Sequence, residues 1–437
     1  MKCSDVIESL EKKKPGSIVY YVLDKDYTND TDYELLCSKL NVSSIDESGG
    51  FTYLNEYGII KIYIFTDSTK FEFLKNLSVE FTVELTEASE ISLNSRFSFE
   101  KENSSSQILV DWGKGEIKKY DNPDDLYYNY LEPGTYKIRV SNVNINGGKG
   151  IGDFSGDKFS IALKEIKFVS KQFIKDFRGF FKQFVNLTKI SGTIFLTKQY
   201  DYPGVAQCFY GSNKINDLSC FVIDARNTTD KISNLAYAFQ HSSFTDTLLN
   251  QLTLVGWDKS LVTKAVKAFS SCDISVPTNK FIGNKLVNGF ATYIDSKVKF
   301  IPKDFFSELE KGSMMFAYCH DLTDVEEGIE LPKLKYGAYM FAECPLSYES
   351  IERLYNGLPK LAKEAIAHDP GTYYSESEDG GANNAEYNIT FGYKEGDEEK
   401  IKTLMGIESI PVVGQDIPVT ANNNWAVCFA CFTSPEQ

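Results

Sequence analysis

The chain has 437 residues, and 61 acidic against 46 basic side chains give it a net charge of −15. That length exceeds one ordinary domain and can bury sizeable cores. The acidic excess argues against a surface that binds nucleic acid through its phosphates. No run approaches the roughly 20 apolar residues of a membrane span.

The N-terminus, MKCSDVIESLEKKKPG, is a charged amphipathic start without the continuous apolar stretch of a secretory leader. Ser4 is placed to cap a helix running to about Lys13, with Pro15-Gly16 as its stop. Ser17 to Leu23 reads as a buried strand, Asp32 to Leu40 as a short amphipathic helix and Gly58 to Phe65 as a second strand. Residues 1–76 thus form a small α/β module. It has no glycine-rich phosphate loop.

Residues 77–168 are mostly β. Val79 to Leu85 and Tyr136 to Val140 alternate apolar with polar residues, the pattern of half-buried strands. Between them lie Val110-Asp-Trp-Gly-Lys-Gly115 and Pro133-Gly-Thr-Tyr136. A strand entering Asp-Trp, a glycine turn, then Pro-Gly-Thr-Tyr and another strand resembles the PKD-like β-sandwich family. Lys114 stands where that family usually has an aspartate, so no bound cation is expected at this turn. Gly113 and Gly115 are suited to the positive φ angles of a tight hairpin. Gly147-Gly-Lys-Gly-Ile-Gly152 lacks the G-K-[ST] ending of a phosphate loop, and is read as a hairpin tip.

Residues 169–346 repeat themselves. Gly312-Ser-Met-Met-Phe-Ala-Tyr-Cys319 returns 25 residues later as Gly337-Ala-Tyr-Met-Phe-Ala-Glu-Cys344. Self-similarity at such a period marks stacked units, each leaning on its neighbours to bury its apolar face. Phe181, Phe209, Phe239, Phe269, Phe290, Phe316 and Phe341 extend the series at intervals of 21 to 30 residues. After Phe181, Phe184, Leu187 and Ile190 recur every third position, as Cys319, Leu322 and Val325 do after Phe316. A second track runs beside the first at Val276-Pro277, Ile301-Pro302 and Leu331-Pro332. Chance spacing in a Phe-rich chain competes with this reading most strongly for the first units.

Ile301-Pro-Lys-Asp-Phe-Phe306, followed by Met315-Phe-Ala-Tyr-Cys-His-Asp-Leu322, resembles the BspA-like leucine-rich repeat family. Its units read I-P-x-x-x-F…M-F-x-x-C-x-x-L. The resemblance implies one short strand per unit and a curved solenoid. The earlier units lack the methionine and often the cysteine.

Residues 347–437 are expected to cap the stack. Ser347 to Gly357 has helical spacing with Gly-Leu-Pro as its stop. Ser375 to Asn384 reads as an acidic, glycine-rich loop. Asn388 to Phe391 is expected as a strand, Glu398 to Leu404 as a helix and Trp425 to Phe432 as a final strand. The expected fold class is multidomain α+β: a small α/β N-terminal module, a β-sandwich, then a leucine-rich-repeat-like solenoid with its C-terminal cap.

Little in the chain suggests catalysis. The nine cysteines are odd in number and scattered, and Cys319 and Cys344 occupy a repeat position that suits a small buried residue. Cys428-Phe-Ala-Cys431 is formally C-x-x-C. On a strand its sulfurs would point to opposite faces. Only His241, His320 and His368 are present. His320-Asp321 has no nucleophile in a matching elbow motif, and no spacing suggests a metal site. No enzyme activity, cofactor or metal is therefore expected. Twenty-six tyrosines are present, and Tyr127, Tyr128, Tyr373 and Tyr374, with Tyr200 and Tyr202, fall outside the repeat anchors. Exposed tyrosine clusters favour protein or glycan interfaces; ordinary strand tyrosines are the alternative.

The run of M-F-x-x-C-P-L-S, helix, G-L-P, strand and W-x-V resembles the ends of BspA-like proteins of gut Bacteroidota and their crAss-like phages. That resemblance implies a virion structural protein, an exposed tail or capsid appendage made in the host cytoplasm. Residues 1–76 would dock it to the particle. The expected partners are other virion proteins or a host surface receptor. Self-association into a homo-oligomer is expected too, without nucleic acid or membrane insertion. The scattered free cysteines fit a protein folded in the cytosol. The alternative is a BspA-like adhesin at the bacterial cell surface, binding host protein or glycan. It would need an export signal or a lipid-attachment cysteine, and Cys3 lies too close to Met1 for a leader. A glycan hydrolase would need two convergent carboxylates, which spacing does not supply.

Overall fold

The computed structural model describes residues 1–24, 27–45, 50–55, 58–65, 68–150, 152–197, 205–228, 232–362, 386–412, 416 and 418–432. The chain is mixed α+β, mostly sheet with few helices. It divides into two compact units. One comprises Met1–Glu80, Lys101–Pro123 and Tyr136–Val143; the other comprises Phe81–Glu100, Asp124–Thr135 and Asn144–Gln437. These units cut across the boundaries read from the sequence, because the 77–168 segment contributes to both.

In the first unit, Ile18–Val22 pairs in parallel with Gly58–Phe65, which pairs antiparallel with Gly50–Asn55 on its other side. Alternation along Gly58–Phe65 puts Ile60, Ile62 and Ile64 into a core with Val6 and Leu10 of the helix Cys3–Glu11. Leu36 and Leu40 of the helix Tyr33–Leu40 complete it. The first helix starts earlier than expected. Lys2 is the N-cap, its N–H donating to the Asp5 carboxylate at 3.0 Å, so Ser4 lies inside the first turn. The strand Gly50–Asn55 and the helix Ser68–Lys75 were not anticipated.

Also in this unit, Ile108–Asp111 pairs antiparallel with Ile117–Tyr120 and with Gly134–Ser141. The Asp111 carboxylate organises the connecting turn. It accepts the N–H groups of Gly113 and Gly115 at 2.8 and 3.3 Å and the Arg139 guanidinium at 2.5 Å. Both glycines have φ near +80°. A Cβ on Gly113 would also meet the Lys137 backbone N at 3.0 Å. Trp112 is buried, its indole N–H donating to Tyr120 Oη at 2.9 Å.

In the second unit, Leu163–Phe168, Lys189–Leu196, Phe221–Asp224 and Thr253–Val255 lie side by side, all parallel. A further parallel ladder of single bridges joins Asn234, Lys264, Asn288, Lys311 and Tyr336 in succession. Tyr336–Gly337 continues it onto Asn388–Lys394, which pairs over seven residues with Ala426–Phe432. The helices Tyr348–Gly357 and Glu398–Met405 fall where the spacing predicts; Ser347 Oγ caps the first, and Gly406 at φ 66° ends the second. Gly147 and Gly148 do not form a hairpin tip. They end the strand Val143–Gly148, where a Cβ on Gly148 would meet Phe180 Cα at 3.0 Å. The 375–384 segment lies outside the described residues. Among the described residues no helix is long and apolar enough to cross a membrane.

Candidate interaction surface

A column of rings runs along the axis of the second unit's ladder. Phe181, Phe209, Phe239, Phe269, Tyr293, Phe316, Phe341 and Phe391 stack with centroids 4.8–6.3 Å apart and interplanar angles of 19° or less. Phe429 follows at 6.0 Å, tilted by 32°. Such near-parallel offset rings contribute about 0.5–1.5 kcal/mol per pair beyond their burial. Phe290 is not in the column. Its place is taken by Tyr293, whose hydroxyl donates to the Pro277 carbonyl, while Phe290 lies in a separate cluster with Ala236, Val266 and Ala291.

Each ring from Phe181 to Phe341 sits at the centre of a tight turn, and these turns bond to one another through alternate residues. Phe391 and Phe429 lie in the strands Asn388–Lys394 and Ala426–Phe432. The N–H groups of Lys267, Phe269 and Ser271 donate to the carbonyls of Phe290, Thr292 and Ile294, each at 2.9 Å. Those of Met314, Phe316 and Tyr318 donate to Ala338, Met340 and Ala342, again at 2.9 Å. The residues two before and two after the ring have positive φ. Lys267 and Ser271, Ala291 and Asp295, Met314 and Tyr318, and Tyr339 and Glu343 are such pairs. None of these is β-branched, as the sterics of the left-handed region require.

The third residue after the ring is Ser212, Ser242, Cys272, Ser296, Cys319 or Cys344. Cys272, Cys319 and Cys344 direct Sγ at the ring residue's carbonyl one turn back, onto Phe239, Tyr293 and Phe316 at 2.9–3.0 Å. Ser212 makes the same bond to Phe181. Burial pushes the Cys319 thiol up to about 12 and that of Cys344 well above its ordinary value. These thiols are packed donors and unfavourable nucleophiles. Cys428 is likewise buried, with Sγ 3.3 Å from the Pro411 carbonyl. His320 is exposed beside Cys319.

One flank of the turns carries a thin apolar layer. Ala317 and Ala342 are buried beneath half-buried Ile294, Met314 and Tyr339, and Tyr237 packs over Ala236 in the same way. Tyr318 is 37% exposed. The ridge Tyr237, Ile294, Met314 and Tyr339 is the second unit's candidate interaction surface. Tyr237, Met314 and Tyr339 each stand two residues before a ring and Ile294 stands one after, so the repeat template was the signal that could have found them.

Of the tyrosines singled out by the sequence, Tyr127 is 51% exposed on the strand Tyr127–Tyr130, which pairs antiparallel with Ser89–Ser92. Tyr128 is half-buried, its ring against Tyr130 at 4.8 Å. Tyr373, Tyr374, Tyr200, Tyr202 and His368 lie outside the described residues.

The first unit has an apolar face of its own. Cross-strand partners share one side of a sheet, and Leu54 lies opposite Ile59 on the side away from the helices Cys3–Glu11 and Tyr33–Leu40. Phe71 of the helix Ser68–Lys75 packs against Tyr20 and Phe65 on that side. Leu54 is 70% exposed, Ile59 61% and Ile18 57%. Beside them Tyr20 and Tyr63 stack at 5.2 Å, with Lys61 Nζ over the Tyr63 ring at 5.3 Å.

Compared with models of protein families, with curated proteins and with solved structures, the chain has no significant match.

Proposed function

We propose that this chain is a non-catalytic structural protein of a bacteriophage particle of the crAss-like group. It is an exposed tail or capsid appendage that contacts other particle proteins or a receptor. In this reading the turns from Phe181 to Phe341 are BspA-like leucine-rich repeats forming a solenoid, 347–437 is its cap and 77–168 a PKD-like sandwich. The observation that carries the non-catalytic part is how the conspicuous thiols are used. Cys272, Cys319 and Cys344 are buried donors to the ring carbonyls of the column. Two apolar surfaces remain for partners, the ridge of Tyr237, Ile294, Met314 and Tyr339 and the sheet face of Ile18, Leu54 and Ile59. The latter suits docking of residues 1–76 to the particle.

Mass spectrometry tests this on purified phage particles from a culture carrying the gene, beside the washed envelope of uninfected host cells. Peptides at stoichiometric level in particles are expected. Peptides found only in the envelope would overturn the particle reading in favour of a cell-surface adhesin.

A further inference from the structure

An open groove of about 490 Å³ lies on the second unit, within the roughly 300–1,000 Å³ of small-ligand sites. The fold makes it by an irregularity in the turns. After Phe209 the chain goes through Asn213–Asn216 directly to Asp217, which bridges Lys189. After Phe239 it instead enters the short helix Asp246–Gln251. The groove runs between that loop and that helix. Both walls are pinned. Thr245 Oγ1 caps the helix by accepting the Leu248 N–H at 3.1 Å, and Gln251 Oε1 crosses to accept the Leu218 N–H at 2.9 Å.

The chemistry of the lining is narrow. It contains no carboxylate, and Lys214, its one cation, is held by Asn186 Oδ1 at 2.8 Å. Its buried apolar residues are Ile215 and Leu248, in the floor. The side chains of Asn213, Asn216 and Thr247 are exposed and make no hydrogen bond among the described residues. Each asparagine offers both donors and an acceptor, and the threonine hydroxyl offers either. With no carboxylate and a single cation engaged by Asn186, the lining offers a ligand mainly hydrogen bonds, and the apolar floor of Ile215 and Leu248 suits the C–H face of a sugar ring. Paired donors and acceptors match adjacent hydroxyls of a sugar ring. We propose that this groove binds a neutral oligosaccharide, with Asn213, Asn216 and Thr247 reading its hydroxyls. The groove presents the same lining whether or not the chain is a particle protein.

The test uses the full chain, titrated calorimetrically with hexasaccharides of glucose, mannose, galactose and N-acetylglucosamine, and with a sialylated oligosaccharide as the charged control. At least one neutral probe should bind with a Kd of about 1 mM or tighter. Asn216→Ala and Thr247→Ala should each weaken it roughly tenfold, and Thr247→Trp should abolish it by filling the groove. The three variants should keep the parent's melting temperature, because these side chains are exposed. Three results would overturn the proposal: no neutral probe binding at about 10 mM, binding that ignores all three substitutions, or binding of the sialylated probe alone. None of these bears on the particle reading, which the mass-spectrometric comparison decides separately.

Discussion

Cysteine and serine interchange three residues after the rings from Phe209 to Phe341 because the position needs a small buried donor. The acceptor is a column carbonyl, and a buried hydrogen bond to it contributes about 0.5–1.5 kcal/mol. Cys319→Ser should therefore stay within about 0.5 kcal/mol of the parent, since Ser212 already makes this bond to Phe181. Cys319→Ala should cost about 1 kcal/mol, the worth of one buried hydrogen bond, because the N–H and hydroxyl of Ser296 still donate to the Tyr293 carbonyl. Urea unfolding of the two variants separates these outcomes; equal loss would mean that the thiol only fills space. The paired glycine and methionine of the repeat have a similar local cause. A Cβ on Gly312 would lie 3.0 Å from Met340 Cε of the next turn. The glycine of one turn makes room for the methionine of the next.

At the scale of the turn, two left-handed residues flank each ring from Phe181 to Phe341, and most are not glycine. Each such residue carries backbone strain of about 1–2 kcal/mol that glycine avoids. Asp295, exposed at φ 55°, is the cleanest place to measure it. Asp295→Gly should be neutral or stabilise by up to about 1 kcal/mol. Asp295→Val should destabilise by more than about 1 kcal/mol, because a β-branched side chain fits this region poorly. Thermal melts of both variants read the difference, and a destabilising glycine would contradict the strain argument. The turn template also explains Phe290. Counting from phenylalanine alone selected it, but the serine or cysteine at ring-plus-three was already legible: Ser296 stands three after Tyr293. A tyrosine replaces phenylalanine there because the Pro277 carbonyl lies within reach of its hydroxyl.

Across the whole molecule, stability should depend on pH through its carboxylates. Hydrogen bonds from the Lys189 ammonium and from Ser219 hold Asp217 at about 2, below its ordinary 3.8. Asp224 beside Arg226, Glu308 beside Lys333 and Glu100 beside Lys175 are lowered in the same direction. For a group depressed in the folded state, the unfolded chain binds more protons as pH falls. The stabilisation is therefore complete above about pH 4 and is lost as pH falls toward about 2. Asp217→Asn should lower the urea midpoint at pH 7 and show a shallower decline through that window. A decline as steep as the parent's would place the acid sensitivity elsewhere.

The chain by itself determined four of its helices, several of its strands and the period of its turns. Those signals are local: apolar spacing, Gly and Pro stops, and the returning G-x-x-M-F-x-x-C. Charge and apolar run length were equally plain. Only the tertiary structure decided which aromatic completes the column, that Gly147 and Gly148 end a strand, and that the 77–168 segment is shared between two compact units. It alone placed Leu54 beside Ile59 on an open sheet face, and Asn216 across a groove from Thr247. These depend on what one turn finds in the next, or one strand in its partner, and no spacing along a single chain encodes that contact.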